Sequence, residues 1–146
     1  MGKFGDILRI DLTAGTVKRE ELSDDKVRKF LGGRGLGTKI LYDETKAGLD
    51  PLGPDNKLIY AIGPLTGRGA PTGNRYMVVT KSPLTGFIAS SNSGGFWGNE
   101  LAKAGHAVLI IEGKAAKPTY LWIKDGEVEL RDASAVWGKD SHETTD

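Results

Sequence analysis

Cysteine is absent from this chain of 146 residues. The segment can therefore form no disulfide, offer no thiolate nucleophile and bind no iron–sulfur cluster through its own sulfur. Its two histidines, His106 and His142, lack the spacing of a zinc site such as HExxH. His106 enters an apolar strand and is predicted to be structural, whereas His142 lies in a polar terminal segment and is predicted to be solvated.

The chain also lacks an excess of either charge and any long hydrophobic run. Lys+Arg 20 against Asp+Glu 19 leaves a formal charge of +1, so there is no electrostatic basis for binding nucleic acid or an anionic membrane. No apolar run reaches the length that spans a bilayer. The first residues, MGKFGDILRIDLT, have no apolar core of a signal peptide. We therefore expect a cytoplasmic protein with neither nucleic acid nor membrane as its partner.

Glycine, in contrast, is abundant: Gly 21 is roughly twice the usual share. Hairpins followed by a helix recur near Ile7–Leu31, near Tyr76–Ala104 and from Tyr120 to the end. In the third unit, Asp140 and Glu143 have the spacing of a capping box. This repetition predicts an α+β domain with mostly antiparallel sheets, short helices and an internally duplicated hairpin–helix motif. Because the last helix has a start signal but no stop signal, we expect a fragment of a longer protein.

The stretch GGRGLG is similar to a dinucleotide-binding loop, but it departs from that pattern. Counted from Gly33, the sixth residue is Thr38 rather than glycine, and the segment before it is predicted to be helical. A second helix is predicted at about Leu36 to Thr45. The pattern favours a close-packed turn between two helices over direct contact with a ligand.

Two other glycine-rich stretches are candidates for binding an anion. In GAPTGNRY, Arg75 stands where a loop enters an apolar strand, and a fixed guanidinium there suits planar or phosphate-bearing ligands. An ordinary surface arginine at a strand end fits the same pattern equally well. In SSNSGGFWGNEL, Asn92 tolerates unusual backbone angles, and Gly94 and Gly95 let a ligand approach the backbone. From the pattern alone, a helix N-cap is the favoured interpretation of this turn.

The sequence from GPLTGRGAPTGNRY through SSNSGGFWGNELAKAG to IIEGKA closely resembles the N-terminal domain of the tungsten-containing aldehyde:ferredoxin oxidoreductases. LGGRGLGTKIL and DASAVWGK resemble the same family at matching places. The resemblance runs from about Gly5 to Gly138. It implies two β-sheets that form a base for a flat cofactor, so residues 1–146 would be a single tungstopterin-platform domain in the N-terminal part of a longer enzyme.

In that family, two pterin dithiolenes hold one tungsten, and a magnesium ion bridges their phosphates. The resemblance implies that Arg75 hydrogen-bonds the pterin and that Asn92 offers its backbone carbonyl to the magnesium. Ser93, Gly94 and Gly95 would touch the pterin–phosphate region. A hard cation such as magnesium takes oxygen ligands and keeps several waters. A single protein carbonyl among its ligands is therefore chemically reasonable.

The resemblance also implies an activity, the oxidation of an aldehyde with water to a carboxylic acid. Two electrons would pass through an iron–sulfur cluster to ferredoxin. The cluster cysteines and the proton-transfer residues of the family lie downstream of this chain, so no catalytic residue is assigned. The implied partners are ferredoxin, the aldehyde and the downstream domains, and a homodimer is compatible with the family.

Two alternatives remain open. The tungsten subunits of aromatic acyl-CoA reductases also resemble this domain, and NSGGFWGNELAKAG fits both groups, whereas GPLTG and SPLTGF are closer to the aldehyde group. The other alternative is a free-standing binding module without a redox role.

Overall fold

The computed structural model describes residues 4–145, so the two ends of the predicted 1–146 domain lie outside the described residues. Eight strands and four helices are found in the described part. In chain order they are β1 (Asp6–Asp11), β2 (Thr16–Glu20), α1 (Asp24–Phe30), α2 (Gly33–Glu44), β3 (Lys57–Ile62), β4 (Tyr76–Lys81), β5 (Ile88–Ser93), α3 (Trp97–Lys103), β6 (His106–Glu112), β7 (Thr119–Lys124), β8 (Glu127–Asp132) and α4 (Ser141–Thr145). None of these helices has the length and apolar character that crossing a membrane requires.

The strands form one large sheet and one small sheet. The large sheet has the order β2-β1-β6-β3-β4-β5, and β7 pairs with β8 in the second sheet. Within the large sheet, β1 and β6 run parallel while every other neighbouring pair is antiparallel. The predicted α+β class with two mostly antiparallel sheets is therefore confirmed, and the larger sheet is mixed because of this one parallel pairing.

The repeated hairpin–helix motif is present three times, as β1–β2–α1, β4–β5–α3 and β7–β8–α4. The Ser23 side chain caps α1 by accepting a hydrogen bond from the Lys26 N–H at 3.3 Å. At α4, the Asp140 carboxylate accepts from the N–H groups of His142 and Glu143, each at 2.9 Å. The Glu143 carboxylate accepts in return from the Asp140 N–H at 3.4 Å. The capping box predicted from sequence spacing is thus confirmed.

Helix α2 lies close against one face of the large sheet. A Cβ built on Gly37 would stand 2.9 Å from Val79 Cγ2 on β4 and 3.7 Å from Ile59 Cγ2 on β3. Only a residue without a side chain allows this approach. The close packing predicted for GGRGLG is confirmed. The predicted turn is shorter than expected, because α2 begins at Gly33 rather than at Leu36 and only Leu31 and Gly32 link the two helices.

The other face of the large sheet is covered by α3 and the β7–β8 hairpin. Leu101 of α3 is buried, and Leu121 and Ile123 of β7 contact the core. Strand β6 lies at the centre of the assembly, with its residues from Ala107 to Ile110 almost wholly buried. The resulting core lies between α2 on one side and α3 with the small sheet on the other.

The two histidines occupy different environments. His106 is 1% exposed, and its Nδ1 is hydrogen-bonded to the carboxylate of Asp6 on the neighbouring strand. His142 is exposed on α4. The structural role predicted for His106 and the solvated position predicted for His142 agree with this arrangement.

An ion-pair cluster joins α2 to the sheet at the end where α2 finishes. Arg9 Nε donates to Glu20 at 2.6 Å, and Arg9 Nη1 donates to Glu44 at 2.9 Å and to Glu112 at 3.1 Å. Lys57 pairs with Glu112 as well. Burial acts to lower the pKa of Arg9, but the hydrogen bonds that Arg9 donates to Glu20 and Glu44 outweigh it and raise that pKa above its ordinary value. The hydrogen bond from Arg9 lowers the pKa of Glu20.

Candidate functional site

The candidate residues lie on the outermost strand of the large sheet. Asn92 and Ser93 belong to β5, whose pairing with β4 continues to the last pair, Tyr76 with Ser93. Helix α3 begins only at Trp97, and its N-cap, Phe96, makes no side-chain capping bond. The interpretation of Asn92 as a helix N-cap is therefore wrong. Asn92 and Ser93, which the polar composition assigned to a turn, pair with β4 as part of the sheet.

The side chains of Arg75 and Asn92 contact each other directly. Arg75, one residue before β4, donates from Nη1 to Asn92 Oδ1 at 2.9 Å. The Asn92 amide donates in turn to Met77 Sδ at 3.0 Å. A Cβ built on Gly94 would lie 3.7 Å from Arg75 Nε. The structure thus brings together Arg75, Asn92 and Gly94, which we name the Arg75–Asn92 site, and all three residues are exposed.

The backbone of Asn92 is directed away from the sheet. The Ser82 N–H donates to the Phe87 carbonyl at 2.8 Å, which identifies this pair as a hydrogen-bonded one. Hydrogen-bonded and non-hydrogen-bonded pairs alternate along an antiparallel ladder. Counting along the register, Asn92 opposite Met77 falls in a non-hydrogen-bonded pair. The Asn92 carbonyl therefore points outward from the sheet edge, where it is open to a ligand.

The other two predicted residues, Ser93 and Gly95, follow Asn92 along the same edge of the sheet. Ser93 lies next to Asn92, but its side chain is on the opposite face of the strand because neighbouring side chains alternate. Gly95 has φ +87°, a conformation that glycine adopts without strain, and no heavy atom lies within 4 Å of a Cβ built there. Ser93, Gly94 and Gly95 are all exposed. Their roles toward a ligand stay predictions.

Two residues that support this site carry no local sequence signal. Thr66, 3% exposed, has its hydroxyl 2.8 Å from the Gly73 carbonyl and 3.1 Å from the Arg75 carbonyl. It therefore holds the loop that leads into Arg75. Met77 lies between Asn92 and the start of α2, because a Cβ on Gly33 would stand 3.4 Å from Met77 Cγ. A threonine in a loop and a methionine in a strand are too common for either role to be recognised before the fold is known.

A separate aromatic groove of about 610 Å³ lies on the face of the sheet covered by α3. The rings of Tyr60, Tyr76 and Trp97 line it, with centroids 4.5 to 6.2 Å apart. Burial raises the pKa of the Tyr60 phenol, and the neighbouring Tyr76 raises it further. Most of its other lining residues are apolar, Glu100 being the charged one, and the groove does not contain Arg75 or Asn92.

The Arg75–Asn92 site offers chemistry suited to an anionic ligand that carries its own cation. The guanidinium has N–H groups beyond the one bonded to Asn92 and can donate two in parallel. The outward Asn92 carbonyl is a hard oxygen ligand of the kind magnesium prefers. Among the described residues, no group of three or more His, Cys, Asp and Glu side chains could hold a metal ion.

Comparison with solved structures defines the class of domain. The active site complex BamBC of benzoyl coenzyme A reductase, in complex with 1,5-dienoyl-CoA, contains a chain that superposes with a TM-score of 0.95 at 40% sequence identity. The match covers 98% of this chain and 22% of that chain. The fold is therefore that of a segment making up 22% of a longer chain.

Sequence comparison then gives the family. Residues 7–146 match the family described as "Aldehyde ferredoxin oxidoreductase, N-terminal domain", and the chain belongs to this family. It is 57% identical to the tungsten-containing aldehyde ferredoxin oxidoreductase of Pyrococcus abyssi and 53% identical to that of Pyrococcus furiosus. Each match covers 98% of this chain but 24% of the relative. The chain thus spans about a quarter of these relatives, and the predicted family is confirmed.

Proposed function

We propose that the chain is the cofactor-binding N-terminal part of an oxidoreductase that converts aldehydes and water to carboxylic acids. Two electrons would leave through an iron–sulfur cluster to ferredoxin. The proposal is supported by the 57% identity to a tungsten-containing aldehyde ferredoxin oxidoreductase. The observation that carries it is the hydrogen bond of 2.9 Å from Arg75 Nη1 to the Asn92 side chain at the open edge of β5, because it holds a guanidinium beside the residue whose backbone carbonyl points outward.

The residues present fit a tungsten bis-pterin with its magnesium. Such a cofactor is a broad, polar anion, and Arg75 would hold it by charge and by hydrogen bonds. The outward carbonyl of Asn92 would bind the magnesium. Ser93, Gly94 and Gly95 would lie against the pterin–phosphate region, where the missing side chains of the two glycines leave room for close approach.

Bound to this platform, the cofactor would supply two-electron redox chemistry at tungsten, and the chain would supply position and electrostatics. The Asn92 side chain is occupied by Arg75 and Met77. It therefore orients the guanidinium, while the Asn92 main chain remains available for the cation. We assign no proton transfer to this chain, and the cluster ligands would come from the downstream part of the enzyme.

The same proposal includes the extent of the domain, its cellular location and its partners. Residues 1–146 would form one tungstopterin platform in a cytoplasmic enzyme. Its partners would be the downstream domains, ferredoxin and the aldehyde, and a homodimer is compatible with the proposal.

A second candidate is the tungsten subunit of an aromatic acyl-CoA reductase. The observation that favours it is the TM-score of 0.95 with a chain of benzoyl coenzyme A reductase. The identity to that chain is 40%, against 57% for the aldehyde enzyme of Pyrococcus abyssi. The aldehyde reaction is accordingly the main proposal.

The full-length protein, produced anaerobically with tungstate, allows a direct test. We expect near-stoichiometric tungsten, bound pterin and ferredoxin reduction that depends on an aldehyde. Reduction of an aromatic acyl-CoA without aldehyde oxidation would instead support the second candidate. A protein without tungsten and pterin would contradict both and favour a binding module without a redox role.

A further inference from the structure

The Arg75 guanidinium extends from a stretch of main chain that lies just outside the sheet. Strand β4 begins at Tyr76, and the ladder between β3 and β4 ends at the pair of Ile62 with Tyr76. Arg75 lies one residue before this last pair, so no strand pairing with β3 holds its carbonyl. The position of Arg75 therefore depends on contacts made by the loop between β3 and β4.

The side chain of Thr66, in this loop, supplies the contact that the sheet does not. Thr66 is 3% exposed, and its hydroxyl lies 2.8 Å from the Gly73 carbonyl and 3.1 Å from the Arg75 carbonyl. A threonine hydroxyl has one proton to donate, so the two carbonyls share it. The short segment that leads into β4 is thus fixed at Gly73 and at Arg75 by the same donor.

Helix α3 fixes the direction of the Thr66 hydroxyl. A Cβ built on Gly98 of α3 would stand 3.3 Å from Thr66 Cγ2, so the threonine methyl group packs against the helix. On the same helix, the Asn99 side-chain oxygen accepts from the Gly67 N–H at 3.0 Å and holds the residue after Thr66. A β-branched side chain has few rotamers about χ1. Because the methyl group is held on α3, the hydroxyl stays directed at the two carbonyls.

We propose that Thr66 is a positioning residue of the Arg75–Asn92 site: its hydroxyl sets where the Arg75 guanidinium stands, and so how firmly the site holds an anionic ligand. Thr66 is buried and acts through the main chain of Arg75. The guanidinium donates to Asn92 Oδ1 at 2.9 Å. Such N–H···O bonds span about 2.7–3.2 Å, so a shift of about 0.5 Å takes the pair beyond that range. The inference rests on the proposed function in one respect, the identity of the ligand as a tungsten bis-pterin.

A role for Thr66 in packing alone makes a different prediction. Valine has nearly the shape of threonine but lacks the hydroxyl, whereas serine keeps the hydroxyl and lacks the methyl group. If Thr66 only filled space, valine would replace it well and serine would replace it poorly. If the hydroxyl positions Arg75, the order is reversed, because only serine retains the donor.

Crystal structures of the full-length variants, together with their tungsten and pterin contents, test this inference. In Thr66→Val we expect the Arg75 guanidinium to move away from Asn92 by more than about 0.5 Å, and both contents to fall several-fold. Thr66→Ala should behave in the same way, while Thr66→Ser should keep the hydrogen bond and contents close to those of the parent protein. An unchanged Arg75–Asn92 hydrogen bond in Thr66→Val and Thr66→Ala would overturn the proposal, as would equal losses of tungsten in Thr66→Ser and Thr66→Val.

Thr45→Val is the matched control, because the Thr45 hydroxyl also donates to a carbonyl, that of Leu41 at 2.5 Å, but at the C-terminal end of α2. It should lower the melting temperature and leave the tungsten content unchanged. A loss of tungsten equal to that of Thr66→Val would trace the effect to reduced stability and overturn the proposal. The position of the guanidinium is measured with or without tungsten. A parent protein that lacks tungsten and pterin would refute the proposed function, whereas an Arg75 that moves in Thr66→Val and not in Thr66→Ser would still support the positioning role.

Discussion

At the level of single residues, the side chain and the backbone of Asn92 have different roles. The side chain accepts from Arg75 and donates to Met77, while the carbonyl points outward from β5. The sequence alone suggested an N-cap at this position, since the motif is polar and precedes a helix. The sequence predicted a hairpin here but not its length, because the polar residues after Ile88 give no sign that β5 stays paired with β4 through Asn92 to Ser93.

Gly94→Ala should separate ligand binding from folding. The new Cβ would meet Arg75 Nε at 3.7 Å, an ordinary contact, and the φ of Gly94 is not in the left-handed region. We expect the free energy of unfolding to change by no more than about 0.5 kcal/mol, as for most surface substitutions. Tungsten and pterin content of the full-length protein should nevertheless fall, because the methyl group would stand where the cofactor approaches the backbone.

The control for this experiment is Gly63→Ala, whose Cβ would come no nearer than 3.8 Å to Thr66 Oγ1. It should leave both stability and tungsten content unchanged. If Gly94→Ala also kept its full tungsten content, close approach of a ligand at Gly94 would be refuted.

At the level of the secondary-structure elements, local signals predicted the hairpins and the capping box of α4, but not the end of β5. Asp125 and Gly126, with φ of 50° and 86°, form the turn of the β7–β8 hairpin, and Asp-Gly is a pair that favours such two-residue turns. The parallel pairing of β1 with β6 was not predicted, because it joins residues about 100 positions apart and leaves no periodic trace in either strand. Secondary structure was therefore largely readable from the sequence, whereas the strand order was not.

Gly37→Ala tests the close contact of α2 with the sheet. A methyl group 2.9 Å from Val79 Cγ2 forces the helix or the strand to move, and overpacking of this kind costs about 1–3 kcal/mol. We expect a lower melting temperature for the full-length variant. Adding Val79→Ala should restore part of the loss caused by Gly37→Ala, measured as a double-mutant cycle. A melting temperature equal to that of the parent protein would show that the contact is looser than the structure indicates.

At the scale of the whole molecule, the ion-pair cluster around Arg9 joins β1, β2, β6 and the end of α2. The hydrogen bond from Arg9 lowers the folded-state pKa of Glu20. A lowered carboxyl pKa contributes stability above the ordinary value of about 4.3, and this contribution is lost as the pH falls through the folded-state value.

We therefore expect the protein to be more stable than Glu20→Gln at pH 7, and we expect this difference to shrink as the pH falls below about 4. Thermal unfolding of both proteins between pH 7 and pH values below about 4 measures this difference in stability. A difference that stays constant down to pH 2 would contradict the role given to the Arg9–Glu20 pair.

The tungsten content of full-length Arg75→Ala shows whether the Arg75–Asn92 site holds the tungsten cofactor. Arg131→Ala is the matched control, because Arg131 is a strand arginine whose guanidinium stacks on Trp122 at 3.9 Å, on the small sheet. Loss of a charged hydrogen bond costs about 1.5–3 kcal/mol, which corresponds to binding weakened by about tenfold or more. We predict that Arg75→Ala loses tungsten and pterin while keeping its melting temperature. Arg131→Ala should retain its tungsten and its pterin. Equal tungsten content in the two variants would show that Arg75 does not hold the cofactor.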